Sequence, residues 1–270
     1  MKKKHLKAAA FVLALAIVAG LCLFANALVG NPVSKALATR TAKRLMAESY
    51  PAYTLERVGY SFKDGSYYAH LTDPGQVDGD FSLSITPWGR LLYDSYQDRV
   101  LSGENTRSRL SKEYRDMVDA VLETPQAGLP LDFGYGDLEL WSREAADNED
   151  APHYALITEE LEVNGTYDVR ALGAQAGHLV YYLEERDPSL EKLAHWLLEI
   201  RRLMDEGGVP FVDIDLSIRY PRDEEGKRPD SDLYVLHFPY EDIYEEGLSR
   251  RVEQANAAAI AYYAEMDKTQ

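Results

Sequence analysis

Two aspartates spaced two residues apart, Asp213 and Asp215 in "FVDIDLSIRY", are the foremost candidates for chemistry in this 270-residue chain. On a β-strand both side chains point to one face, and paired carboxylates can serve acid–base or metal chemistry. The competing role is solubility. Val212, Ile214, Leu216, Ile218 and Tyr220 alternate with them, which puts both acids on the polar side of a half-buried strand. A second acidic group, Asp73, Asp78 and Asp80 in "DPGQVDGD", has oxygen ligands suited to Ca²⁺ but lacks the EF-hand pattern and its terminal glutamate. It reads as a turn rich in Asp and Gly.

The histidines fall apart in sequence. No H-x-x-x-H or H-E-x-x-H spacing occurs, which disfavours a zinc hydrolase. His195 sits one helical turn from Glu191 and Glu199, an ion-pairing position. His70, His178 and His237 lie on expected strands, where a neutral packed or edge histidine is the default. There is no G-x-S-x-G, Walker loop or dinucleotide fingerprint. Asn164-Gly165-Thr166 has the form of a glycosylation sequon and reads as a turn. No catalytic residue, metal ligand or cofactor is assigned on these grounds.

Tyrosine offers another kind of chemistry. Nineteen are present, with doublets at Tyr67-Tyr68, Tyr181-Tyr182 and Tyr262-Tyr263. In a strand doublet one ring faces away from the core, and such rings suit contact surfaces. Tyr68 and Tyr182 are therefore binding candidates beside Asp213 and Asp215.

The elements that carry these residues are legible in part. "VGYSFKDGSYYAHL" reads as a hairpin whose Asp64-Gly65 forms a two-residue type I′ turn, pairing Phe62 with Tyr67, Tyr60 with Ala69 and Val58 with Leu71. A helix over 33–48 precedes it. Strands at Phe81–Ile85 and from Leu91 follow it, and a helix over 106–123 carries the stripe Leu110, Tyr114, Met117, Val118, Val121 and Leu122. Further on, "HLVYYLEE" reads as a strand. Asp187-Pro188 opens a helix striped by Leu190, Leu193, Leu197, Ile200 and Met204, and "FVDIDLSIRY" pairs with "LYVLHFPY" before a last helix near 245–265. "LEVNGTYDVRALGAQAG" reads as a strand and a short helix, and "TPQAGLPLDFGYGD" as a connector.

Charge sets the divisions. Residues 31–125 carry 12 Lys+Arg against 13 Asp+Glu, whereas residues 126–270 carry 13 against 32. The formal net charge of −16 repels phosphate backbones and argues against nucleic-acid binding. The N-terminus has four lysines, then no charge from Ala8 to Ser34. Residues 8–29 would span about 33 Å as a helix, enough for a hydrocarbon core of about 30 Å. That length favours an uncleaved anchor over a cleaved signal peptide with Ala25 and Ala27 as its small-residue pair. Lys35, Arg40, Lys43 and Arg44 follow the span, so positive charge orients it weakly, and the arrangement expected is a short N-terminus with the bulk of the chain outside. Cys22, alone of its type, falls inside the apolar run as a lipid-facing or buried residue, which excludes thiol catalysis. Leu21 before it argues against a lipoprotein site.

"GNPVSKALATRTAKRLMAESYP", "VGYSFKDGSYYAHL", "LYDSYQDRV" and "GVPFVDIDL", in this order after the anchor, resemble the YfjL-like family of small membrane-anchored proteins of Gram-positive bacteria. The resemblance implies an extracytoplasmic bacterial protein whose first domain is similar to PepSY or cystatin-like modules. It carries over no activity and no catalytic residue.

The expectation is an α+β protein: a transmembrane helix (1–30), a PepSY/cystatin-like domain (31–125) and an acidic domain (126–270), with antiparallel sheets packed against helices. The function expected is that of a non-enzymatic binding or regulatory module, anchored in the cytoplasmic membrane through residues 8–29 and acting on an envelope protein. The alternatives are a carboxylate-dependent cell-wall hydrolase using Asp213 and Asp215, and binding of Ca²⁺ or Mg²⁺ by the acidic domain.

Overall fold

A computed structural model of the chain describes residues 2–148, 151–229 and 233–266. It forms two compact units, Met1–Asn105 and Thr106–Gln270. In the first, α1 (Lys2–Val29) is long and apolar enough to cross a membrane. The side chain of Cys22 lies outside the described residues, as do those of 2–4, 6–10 and 23.

Gly30, at φ 70°, breaks the helix, and Asn31 then caps α2 (Pro32–Ser49), its side chain accepting from the Ser34 backbone N–H. Proline suits that first helical position because no donor is lost there. Four strands, β1 (Thr54–Ser61), β2 (Ser66–Thr72), β3 (Phe81–Ile85) and β4 (Leu91–Asp94), form an antiparallel sheet in the order β1-β2-β3-β4, against which α2 packs.

The hairpin register differs from expectation by two residues. Ser61 pairs with Ser66, Tyr60 with Tyr67 and Val58 with Ala69, leaving a four-residue loop over 62–65. A type I′ turn needs positive φ at both central residues, and of the two only Gly65 has it (φ 64°). Asp64 instead accepts hydrogen bonds from Ser61 and Tyr68. Phe62 thereby leaves the ladder and is exposed, while the two-residue slip keeps Tyr60 and Tyr67 on the expected face.

The second unit takes in nearly all of α3 (Glu104–Leu122). Its buried Leu110, Tyr114, Val118 and Leu122 join one core with the second sheet. The division therefore falls about twenty residues before the charge boundary at 125/126. The chain continues through β5 (Leu131–Leu138), β6 (Leu140–Trp141), α4 (Arg143–Asn148), β7 (Leu156–Ile157), α5 (Val169–Ala176) and β8 (Gly177–Glu184). After these come α6 (Leu190–Gly207), β9 (Asp213–Arg219), β10 (Tyr234–Pro239) and α7 (Leu248–Met266).

Ser189, not Pro188, starts α6: its hydroxyl accepts from the Lys192 N–H, and Gly208 in the left-handed conformation ends the helix. The strand expected before α5 does not form, and Asn164 turns the chain at φ 62°. The sheet order is β10-β9-β8-β5. Its outer pairs are antiparallel and its central pair, β8 with β9, is parallel, so the α+β class holds with a mixed second sheet. One face, with Leu179, Tyr181 and Leu183 of β8 and Ile214, Leu216 and Ile218 of β9, enters the core with α3, α6 and α7.

β5 occupies the stretch read as a connector, because glycine hides its alternation. A Cβ on Gly134 would stand 2.2 Å from Cδ1 of the fully buried Tyr181 ring. Gly134→Ala is therefore expected to destabilise the second unit by about 1–3 kcal/mol through overpacking. Urea unfolding followed by tyrosine fluorescence would read this as a lower midpoint at unchanged slope.

Candidate functional site

The outer face of the second sheet is not a bare polar surface. A parallel pair needs a crossover, which α6 supplies, and the resulting register sets His178 beside Asp213 and Val180 beside Asp215. On the other side β10 pairs antiparallel to β9, with a slip between Val235 and Phe238. That slip is a bulge in which Leu236 and His237 together oppose Asp215. His237 takes a left-handed φ of 46°, a conformation uncommon outside glycine, and the bulge turns its ring back over the sheet.

Three strands thus deliver one cluster. His178 Nδ1 lies 2.5 Å from Asp213 Oδ1, and His237 Nδ1 lies 3.1 Å from Asp213 Oδ2. The His237 backbone N–H donates to Asp215 Oδ1 at 2.6 Å. Asp215 Oδ2 faces His178 Nε2 at 3.7 Å. The imidazoles are 5.1 Å apart between ring centroids. The Tyr154 hydroxyl, from the loop before β7, is buried near Asp213 without a well-formed hydrogen bond.

Electrostatics follow from burial. Asp213 is only 3% exposed. Burial alone would push its carboxyl up, but the hydrogen bonds of His178 and His237, helped by the nearby Tyr154 hydroxyl, outweigh it and hold the group well below the usual carboxylate range. Burial lowers His178, and the Asp213 bond with the charges of Asp213, Asp215 and Glu139 more than reverses that. The Asp213 bond raises His237 against a smaller burial effect, helped by the same acids. Burial and the nearby Asp213 carboxylate push the Tyr154 phenol up, out of range of neutral-pH proton transfer. A cavity of about 520 Å³ opens beside the cluster, lined by His153, Tyr154, Phe211, Asp213, His237 and Tyr240 among others.

Of the residues singled out from sequence, Asp213 and Asp215 are brought together, though Asp213 is buried rather than solvating the sheet. Tyr182 lies farther along the same outer face. Its ring stacks on Phe133 at 6.3 Å and lies 3.7 Å beneath the Arg219 guanidinium. A cavity of about 230 Å³ adjoins it, with Asp215, Ser217, Tyr234 and Tyr263 in its walls.

Tyr68 belongs to the first unit, half-exposed on β2, with its hydroxyl donated to Asp64. Asp73 accepts from the Gly75 N–H in a local turn, and the backbone carbonyls of Asp78 and Asp80 accept from Asn105. His195 lies against Trp196, and Glu199 pairs with Arg202 instead.

His178, His237 and Tyr154 were missed. The available signal was the strand–helix–strand order of 177–219, which makes a parallel neighbour of β8 and puts His178 on the Asp213 face.

Comparison with known proteins adds a family and no activity. Residues 3–93 match the family model described as YfjL-like, N-terminal domain, and residues 113–253 match the YfjL-like C-terminal domain. No curated protein matches. Among solved structures, a DUF5037 family protein from Ruminococcus gnavus ATCC 29149 is similar over 70% of this chain and 76% of its own, at 16% identity. Its TM-score is 0.20, too low to carry an argument.

Proposed function

We propose, for a chain that belongs to the YfjL-like family, a single-pass, membrane-anchored binding module. The parts of its two units that follow α1 lie outside the cytoplasmic membrane, and the second unit contacts an envelope protein. The anchor rests on α1, whose apolar length suits a hydrocarbon core. The four lysines ahead of its apolar run favour the extracytoplasmic side weakly, since Lys35, Arg40, Lys43 and Arg44 follow it. The PepSY/cystatin-like character that the sequence resemblance implies for the first domain agrees with such a role.

The observation that carries the reading is the aromatic and arginine patch on the outer face of the second sheet. Phe133 is 58% exposed and, with Tyr182 and Arg219, forms a stack of residue types that anchor interfaces. Such rings lose little entropy on contact and bring a large apolar area. The two-carboxylate hydrolase is less well supported. An acid–base pair needs one carboxyl that keeps its proton near neutrality, and Asp213 is held ionised by its histidines.

The test is cross-linking in intact cells of the native host, then recovery of the tagged full-length chain and mass spectrometry. An envelope protein is expected to co-purify, and Tyr182→Ala with Phe133→Ala is expected to reduce its recovery by roughly tenfold or more, the scale of a lost hot spot. Tyr68→Ala serves as the comparison from the first unit. Recovery unchanged by the double variant would sink the proposed contact face. Digestion of the soluble units by protease added to intact, wall-stripped cells would report the side of the membrane.

A further inference from the structure

We infer that His178, His237 and Asp215 form a binding site for one divalent transition metal ion of the zinc class. The argument counts lone pairs. Both Nδ1 atoms face oxygens of the buried Asp213, which makes them the protonated nitrogens and leaves each Nε2 with its lone pair free. Asp215 Oδ1 is occupied by the His237 backbone N–H, which leaves Oδ2. One ligand atom from each of these three residues lies within 4.8 Å of the others. Ligand atoms at about 2.1 Å from a tetrahedral ion stand about 3.4 Å apart, and the His178 Nε2 to Asp215 Oδ2 separation is already 3.7 Å.

The surroundings fit the same role. Metal-bound histidines usually donate their other ring N–H to a carboxylate, which fixes the tautomer and raises basicity. Here one carboxylate, Asp213, does so for both rings, an arrangement that explains why an ionised aspartate is buried among them. Two imidazoles and one carboxylate suit zinc and its neighbours rather than Ca²⁺ or Mg²⁺, which take oxygen ligands. Three protein ligands leave a coordination position open, and the cavity lined by His153, Tyr154 and His237 adjoins the cluster. The ligands sit on three strands, with no short spacing between them, so no sequence motif reveals the site. It stands independently of the proposed partner face.

The experiment is titration of Zn²⁺ into the detergent-solubilised full-length chain, competed by a chromophoric chelator, with Co²⁺ as a spectroscopic stand-in. One equivalent of Zn²⁺ is expected to bind, and Co²⁺ is expected to give the visible absorption of a low-coordinate, histidine-ligated site. The His237 side chain is 56% exposed, so His237→Gln is the variant least prone to misfold. It is expected to weaken Zn²⁺ by at least about 100-fold, and Asp213→Asn by about 10–100-fold as a supporting carboxylate. A wild-type chain that retains no equimolar Zn²⁺ overturns the inference. So does binding unaltered in both His237→Gln and Asp215→Asn, or Zn²⁺ displaced by equimolar Ca²⁺.

Discussion

Asp213→Ala is expected to destabilise the second unit by about 3 kcal/mol at weakly acidic pH, because it removes the shared partner of two histidines from a buried site. In the wild-type chain the His178 and His237 ring nitrogens share the two Asp213 oxygens, and the Tyr154 hydroxyl is buried beside them. Without the carboxylate the buried His178 ring and the more exposed His237 ring both lose their acceptor, and the Tyr154 hydroxyl stays buried beside the gap.

The pH dependence has a definite sign. Asp213 is lowered from its ordinary 3.8 by its hydrogen bonds, against burial, so its contribution is present above that value and is lost as pH falls toward its folded value. His178 and His237 are raised above 6.5, so theirs is full below 6.5 and is lost as pH rises through their folded values. The difference between wild type and Asp213→Ala should therefore peak between about 4 and 6.5 and shrink on either side. The groups facing the pair are Asp215, Glu139 and Tyr154, and all three persist in the variant. Urea unfolding across pH, without added metal, measures this. A flat difference from pH 3 to pH 9 would mean that the cluster is held by packing and not by its charges.

Half of that cluster was legible in advance. The alternation in "FVDIDLSIRY" places Asp213 and Asp215 on one face whatever surrounds the strand, because side-chain period is a property of the strand itself. Their neighbours depend on tertiary pairing. β9 is a central strand, so its polar face meets β8 on one side and β10 on the other. A one-residue difference in the β8–β9 register would have turned His178 to the core. His237 reaches the site only through a bulge and a left-handed backbone, features that no hydrophobic pattern encodes.

The same distinction holds for the fold. α6 shows its stripe in Leu193, Leu197, Ile200 and Met204, all buried, since helical period alone decides which residues share a face. β5 showed nothing, since Gly134 and Gly136 stand where apolar side chains would have marked the strand. The ring of Tyr181 and the side chain of Val118 fill the space that Cβ atoms would need. The first hairpin was found and its faces were right, but its register turned on the backbone angle of one residue, Asp64.

A chain beginning at residue 126, the charge boundary, is expected not to fold, whereas one beginning near Glu104 is expected to unfold cooperatively as a unit. Charge reports on surfaces, and the contrast across residue 125 is one of charge, 12 Lys+Arg against 13 Asp+Glu before it and 13 against 32 after it. The core does not divide there. Leu110, Tyr114, Val118 and Leu122 of α3 are fully buried against the second sheet, and the Tyr114 hydroxyl donates to the Pro210 carbonyl at 2.9 Å. Burying a side chain of this kind stabilises by about 1.5–3 kcal/mol, so the four together supply about 6–12 kcal/mol. A domain's whole stability is about 5–15 kcal/mol. Loss of α3 would also expose the rings and aliphatic chains of β8 that it covers, which favours aggregation. Circular dichroism and thermal unfolding of the two fragments decide the matter. A cooperative transition in residues 126–270 alone would show that α3 packs on the second unit without being needed by it.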